Sequence, residues 1–163
     1  MEATVERKTK KTRIARLIVS ALLLCLMYSC TDTSSMYCSY RNLQEDGWNR
    51  SDTITFSVPC SMIRDSMMLM LRSDNEFPYH RIFLSVNQTA VPSLRTRTDT
   101  VRCTIIDKDN RHLGSGLTYY IQKETFAALD TGTDSIVRIS VHHIMRRELI
   151  YGIKDIGISN QSD

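Results

Sequence analysis

The chain has 163 residues, 42% of them hydrophobic and 24% charged, with a formal net charge of +3. Residues 1–29 hold six of the 21 Lys/Arg and two of the 18 Asp/Glu, which leaves 15 basic against 16 acidic residues, a net charge of −1, in residues 30–163. That remainder is long enough for one domain with a core. Without a basic excess it has no electrostatic footing for nucleic-acid binding.

In chain order, a basic segment (Arg7, Lys8, Lys10, Lys11, Arg13, Arg16) runs into an apolar stretch from Leu17 to Met27, followed by Tyr28, Ser29 and Cys30. The cationic end suits the cytoplasmic side, and the apolar run is shorter than the roughly 20 residues of a permanent span. A small residue directly before a cysteine is the cleavage context of a bacterial lipoprotein signal. Cys30 is therefore the expected lipidation site, whereas Cys25, behind the large Leu24, lacks that context. Thr31 to Tyr40, rich in Ser and Thr, reads as a flexible tether. The expected organisation is a helical signal peptide over 1–29, a lipidated cysteine and tether over 30–40, and a β-sandwich domain over 41–163.

Short strand patterns follow. Thr53–Val58 alternates polar and apolar; Met67–Arg72 is apolar on both faces, as in a central strand; Arg81–Val86 and Thr100–Ile106 are two more. Asp107–Asn110 and Gly114–Gly116 are turn signals. Leu117–Gln122 reads as a strand, Lys123–Leu129 as a strand or a helical turn, Ile136–Val141 as a strand, Met145–Tyr151 as one helical turn, and Ile153–Ile158 as the closing strand. The expected fold is all-β: an antiparallel sandwich of seven to nine strands, immunoglobulin-like or jelly-roll-like. Met67, Met68 and Met70 suit irregular core space. Beyond Cys30, the odd count of Cys38, Cys60 and Cys103 argues against a disulfide framework, with Cys38–Cys60 the one pair to test.

Chemistry-bearing patterns are few. His142 and His143 adjoin a strand and would point to opposite faces, which disfavours a shared metal. No G-x-S-x-G elbow, phosphate loop or H-E-x-x-H is present. The reading is non-catalytic, with no cofactor and no metal. Asp followed by Ser or Thr and an aliphatic or Met occurs four times, at Thr53, Ser66, Thr100 and Ser135, where composition gives about one. This resembles the O-glycosylation acceptor motif of Bacteroidetes. Turn-to-strand chemistry yields the same pattern.

Residues 141–158 contain Met145, Arg146, Leu149, then Gly152-Ile153-x-Asp155-Ile156-Gly157. With Arg72, the Phe77-Pro78-Tyr79 segment and Trp48 in order upstream, the chain resembles the gliding-motility lipoprotein family GldH of Bacteroidetes, as a diverged member. Arg81 stands where that family has Asn. The resemblance implies a lipid-anchored envelope protein, most simply on the outer membrane facing the periplasm. It would work by contact with other envelope lipoproteins or with secretion and motility components. The motif residues Arg72, Pro78, Tyr79, Met145, Arg146, Leu149, Gly152, Asp155 and Gly157 read first as fold-specifying, with Asp155 a candidate partner for Arg72 or Arg146. An exposed Phe77-Pro78-Tyr79 beside Trp48 would instead mark a partner site. The alternative is a carbohydrate-binding β-sandwich, which needs exposed coplanar aromatics that a chain with one Trp offers sparsely.

Overall fold

The computed structural model describes residues 36–161. Among them ten strands form: β1 (Cys38–Asn42), β2 (Trp48–Asn49), β3 (Ile54–Pro59), β4 (Ser66–Ser73), β5 (Arg81–Val91), β6 (Thr96–Thr104), β7 (Tyr120–Ala127), β8 (Ile136–His143), β9 (Leu149–Ile150) and β10 (Ile153–Ser159). All pairing between these strands is antiparallel. One rule generates most of it. β5 pairs with β6, and outside that hairpin β4 pairs with β7, β3 with β8, β2 with β9 and β1 with β10. The chain is one long hairpin, with Cys38 opposite Ser159 at its open end.

A two-stranded ribbon cannot bury its apolar face alone. This one rolls up, so that β10 docks beside β4 and β8 beside β5. Two four-stranded sheets result, β1-β10-β4-β7 and β3-β8-β5-β6, with β2-β9 as a small ribbon. This is a jelly roll, which decides between the two sandwich types that the strand pattern left open.

The core lies between the sheets. Phe56, Val58, Ile82, Leu84, Val86, Val137, Ile139 and Val141 of the second sheet meet Met67, Leu69, Leu71, Phe126, Ile156 and Ile158 of the first. Each set follows the two-residue period of its strand. β4 is buried on both faces: Met67, Leu69 and Leu71 join the core, and Met68 and Met70 are buried on the opposite side. There the Tyr40 ring lies so close to Gly157 that a Cβ on the glycine would meet it at 2.6 Å. The Tyr40 hydroxyl donates to Sδ of Met70 at 3.1 Å.

Four sequence readings change. Cys38–Tyr40, assigned above to the tether, lie in β1, because β10 offers them an open edge. Leu117–Tyr119 are not a strand, and a single strand runs from Tyr120 through Ala127. Gly116, at φ +142, turns the chain so tightly that any Cβ would sit 1.7 Å from the Tyr119 carbonyl oxygen. Met145–Tyr151 forms no helical turn: Leu149–Ile150 pairs with Trp48–Asn49, and the Arg50 amide donates to the Glu148 carbonyl at 2.7 Å. Finally, the β5–β6 hairpin is longer than read: β5 runs past Val86 to Val91 and β6 covers Thr96–Thr104, so Thr100 is mid-strand opposite Ser85 rather than at a strand start.

Candidate functional site

The family-like residues fall into two neighbouring groups. The first is on the outward face of the first sheet, where β4 and β10 place Arg72 and Asp155 in register. The two form an ion pair, with the carboxylate side chain 5% and the guanidinium side chain 40% exposed. Burial lifts the Asp155 carboxyl above its ordinary range, and the facing guanidinium pulls against that rise. The Tyr119 ring lies 5.2 Å from the guanidinium carbon, a cation–π stack. Beside this pair, Lys154 Nζ donates to Asp74 at 2.7 Å, and that hydrogen bond raises the lysine pKa. Burial likewise raises the Tyr40 hydroxyl.

Gly152 joins the two groups. Its φ of +83 and its approach to the Phe77 backbone, where a Cβ would come within 2.2 Å of the amide nitrogen, admit no side chain. The Asp74 amide donates to the Gly152 carbonyl at 2.9 Å. The 74–79 segment is thereby pinned against the 149–153 segment. Phe77 is 1% exposed and packs edge-on against Tyr79 at 5.5 Å between centroids.

The second group follows from this. Tyr79, Phe83, Ile144, Met145, Arg146 and Arg147 line a cavity of about 370 Å³ where β5 begins and β8 ends. Tyr79 and Met145 pack on the core as its floor. Phe83 and Ile144, 39% and 44% exposed, form its apolar wall. Pro78 is exposed beside Tyr79, and Leu149 is held in β9.

Trp48 is 1% exposed, so the exposed Phe77-Pro78-Tyr79 patch beside Trp48 that would mark a partner site does not form, and Trp48 gives no sugar platform. Its indole N–H donates to the Asp52 carbonyl at 3.0 Å, and His143 Nε2 lies 3.1 Å from the Trp48 carbonyl oxygen. His143 is buried and its pKa is lowered, chiefly by that burial, while His142 is half-buried on the opposite face of β8. Among the described residues no cluster of His, Cys, Asp or Glu is placed to hold a metal ion, and no helix is long and apolar enough to cross a membrane.

Thr53, Ser66, Thr100 and Ser135 all face solvent. Asp134, before Ser135, accepts from the amide and the hydroxyl of Ser93 and from Arg95 at 2.8, 2.7 and 3.1 Å. At that motif the aspartate holds the β5–β6 tip and has a structural use of its own. Cys38, Cys60 and Cys103 are free thiols. Cys30 lies outside the described residues.

Sequence reasoning gave no site role to Tyr119, Tyr40, Phe83 or Ile144. Phe83 did leave a signal: within Arg81–Val86 it has the opposite parity to Ile82, Leu84 and Val86. Tyr119 left none, because only the turn at Gly116 brings it to Arg72.

Fold and surface together define a class: an all-β jelly-roll domain whose most distinctive residues build contacts and a surface cavity. Within that class the chain belongs to the GldH lipoprotein family, whose match spans residues 35–159. Among solved structures, it is similar to the xylan-binding module CBM15 at 12% identity and a TM-score of 0.39, covering 76% of this chain and 97% of the module. It is also similar to Eiger TNF from S. frugiperda at 9% identity and a TM-score of 0.31, covering 78% of this chain and 94% of that one. No curated protein matches it.

Proposed function

We propose that the protein is a non-catalytic lipoprotein of the cell envelope, lipidated at Cys30. It sits most simply on the outer membrane facing the periplasm and acts by contact with motility or secretion components. The observation that carries this reading is the GldH lipoprotein match over residues 35–159, essentially the whole described domain. The lipobox-like Ser29-Cys30 supports it from outside that match. Acyl chains contribute about 0.8 kcal/mol per buried methylene, so several chains on one cysteine anchor a domain durably. Tethering then raises its effective concentration near membrane-bound partners. Solvent-facing Thr53, Ser66, Thr100 and Ser135 are the proposed O-glycan acceptors.

Three measurements test this. Cells grown with radioactive palmitate should label the wild type and not Cys30→Ala; persistent label in the variant would remove Cys30 as the anchor. Intact mass should equal the polypeptide from Cys30 plus lipid plus glycan. A mass of polypeptide and lipid alone eliminates the glycan sites. Crosslinking in intact cells should join the wild type to envelope components, and a wild type that crosslinks to nothing defeats the contact reading.

A further inference from the structure

The outward face of the second sheet is basic around one apolar cavity. Phe83 and Ile144 form the cavity wall, with the Ile144 amide donating to the Phe83 carbonyl at 2.9 Å. Arg81 lies two residues before Phe83 on the same face, and Arg102 stands directly opposite Phe83 in the β5–β6 register. Arg146 and Arg147 close the rim. All four arginines are exposed, and among the described residues none of them makes an ion pair. The four strands of this sheet contain a single acid, Asp99; it has the inward parity of Val101 and is paired with Arg97. Glu148, further along the loop, pairs with none of these arginines. Unpaired positive charge around a solvent-facing apolar hollow is complementary to an anionic group that carries an apolar one.

Position in the fold separates the cavity from the point where the chain enters the domain. The chain enters the jelly roll at Cys38, opposite Ser159, where β10 ends and β4 begins. The cavity lies at the other end of the strands, beyond the start of β5 and the end of β8. Strands of seven or eight residues separate the two ends by roughly 25 Å. Within the domain, the cavity and the point where the chain enters are therefore at opposite ends of the strands.

We propose that the Tyr79–Phe83–Ile144–Met145 cavity, with Arg81, Arg102, Arg146 and Arg147 around it, docks an acidic segment of a partner protein. The segment inserts one apolar side chain between flanking Asp or Glu residues. This deepens the contact reading above and rests on it.

The test uses full-length lipoprotein in detergent micelles and fluorescence anisotropy of a labelled peptide in which one Phe is flanked by Asp and Glu. We expect it to bind at least tenfold more tightly than the same peptide with Lys for the acids, or with Ser for Phe. We expect Arg146→Glu/Arg147→Glu and, separately, Phe83→Asp to weaken binding at least tenfold with unchanged melting. Arg138→Glu, toward the other end of the same face, should leave it intact. Equal binding of the three peptides, no binding, or insensitivity to these substitutions overturns the proposal. So does substitution-sensitive binding to phosphatidylglycerol vesicles in place of the peptide, which would make the cavity a lipid contact. In cells, if Arg146→Glu/Arg147→Glu crosslinks to envelope components as the wild type does, the docking proposal falls and the contact reading stands.

Discussion

Gly152 shows how much a single residue of the family signature carries. Its left-handed backbone and its approach to the Phe77 amide exclude any side chain, so Gly152→Ala should cost about 3 kcal/mol or more in urea denaturation. A loss under about 1 kcal/mol would mean the two segments part easily. Arg72 and Asp155 make a different case, since the pairing is an electrostatic one across two strands. Arg72→Met should cost about 2 kcal/mol at pH 7, less than breaking a fully buried pair because the arginine side chain is 40% exposed. Burial already holds the Asp155 carboxyl above its usual 3.8, and losing the guanidinium lifts it further. A carboxyl raised in the folded state contributes stability that is complete below its unfolded value and is lost as pH rises through the folded value. The deficit of the variant is therefore smallest near pH 4 and full at pH 7. A deficit that does not change with pH would show that Arg72 does not serve this carboxylate.

Among elements, β1 is the one whose existence depends most on its neighbour. Its five residues, Cys-Ser-Tyr-Arg-Asn, bear no apolar alternation, and its only strand pairing is with β10. Removing the chain through Asn42 bares the β10 edge and takes Tyr40 off Met70. An exposed, apolar, unpaired edge recruits other chains. The truncated domain should self-associate in light scattering while the full chain stays monodisperse; a monodisperse truncation would assign β1 no protective role. β2 and β9, two residues each, were illegible for the same reason. By contrast β3, β5 and β8 were readable because each alternates core and solvent residues over six or more positions.

For the whole molecule, the rolled hairpin sets the chemistry of the thiols. Cys38 lies exposed on an edge strand, Cys60 is half-buried after β3, and Cys103 is sealed in the core with its thiol pushed up to about 12 by burial. Iodoacetamide should modify Cys38 first and Cys60 slowly, and should reach Cys103 only in denaturant, as counted by intact mass. If Cys38 and Cys60 resist until a reductant is added, the native protein holds a bridge between them.

The sequence by itself determined the class of fold, the presence and rough place of the long strands, the −1 charge of residues 30–163 beyond the basic N-terminal segment, and the family signature. These depend on local periodicity and composition, which are written residue by residue. The tertiary structure alone decided that the sandwich is a jelly roll, that Arg72 pairs with Asp155 across 83 positions of sequence, and that Phe83, Ile144 and four arginines share one face. Those outcomes require the register of strands distant in the chain, and register is set when a long ribbon rolls to bury its apolar side. Trp48 and Phe77 follow the same rule: their aromatic rings suited either a partner or a core, and closing the β2–β9 ribbon over the sandwich end put both inside.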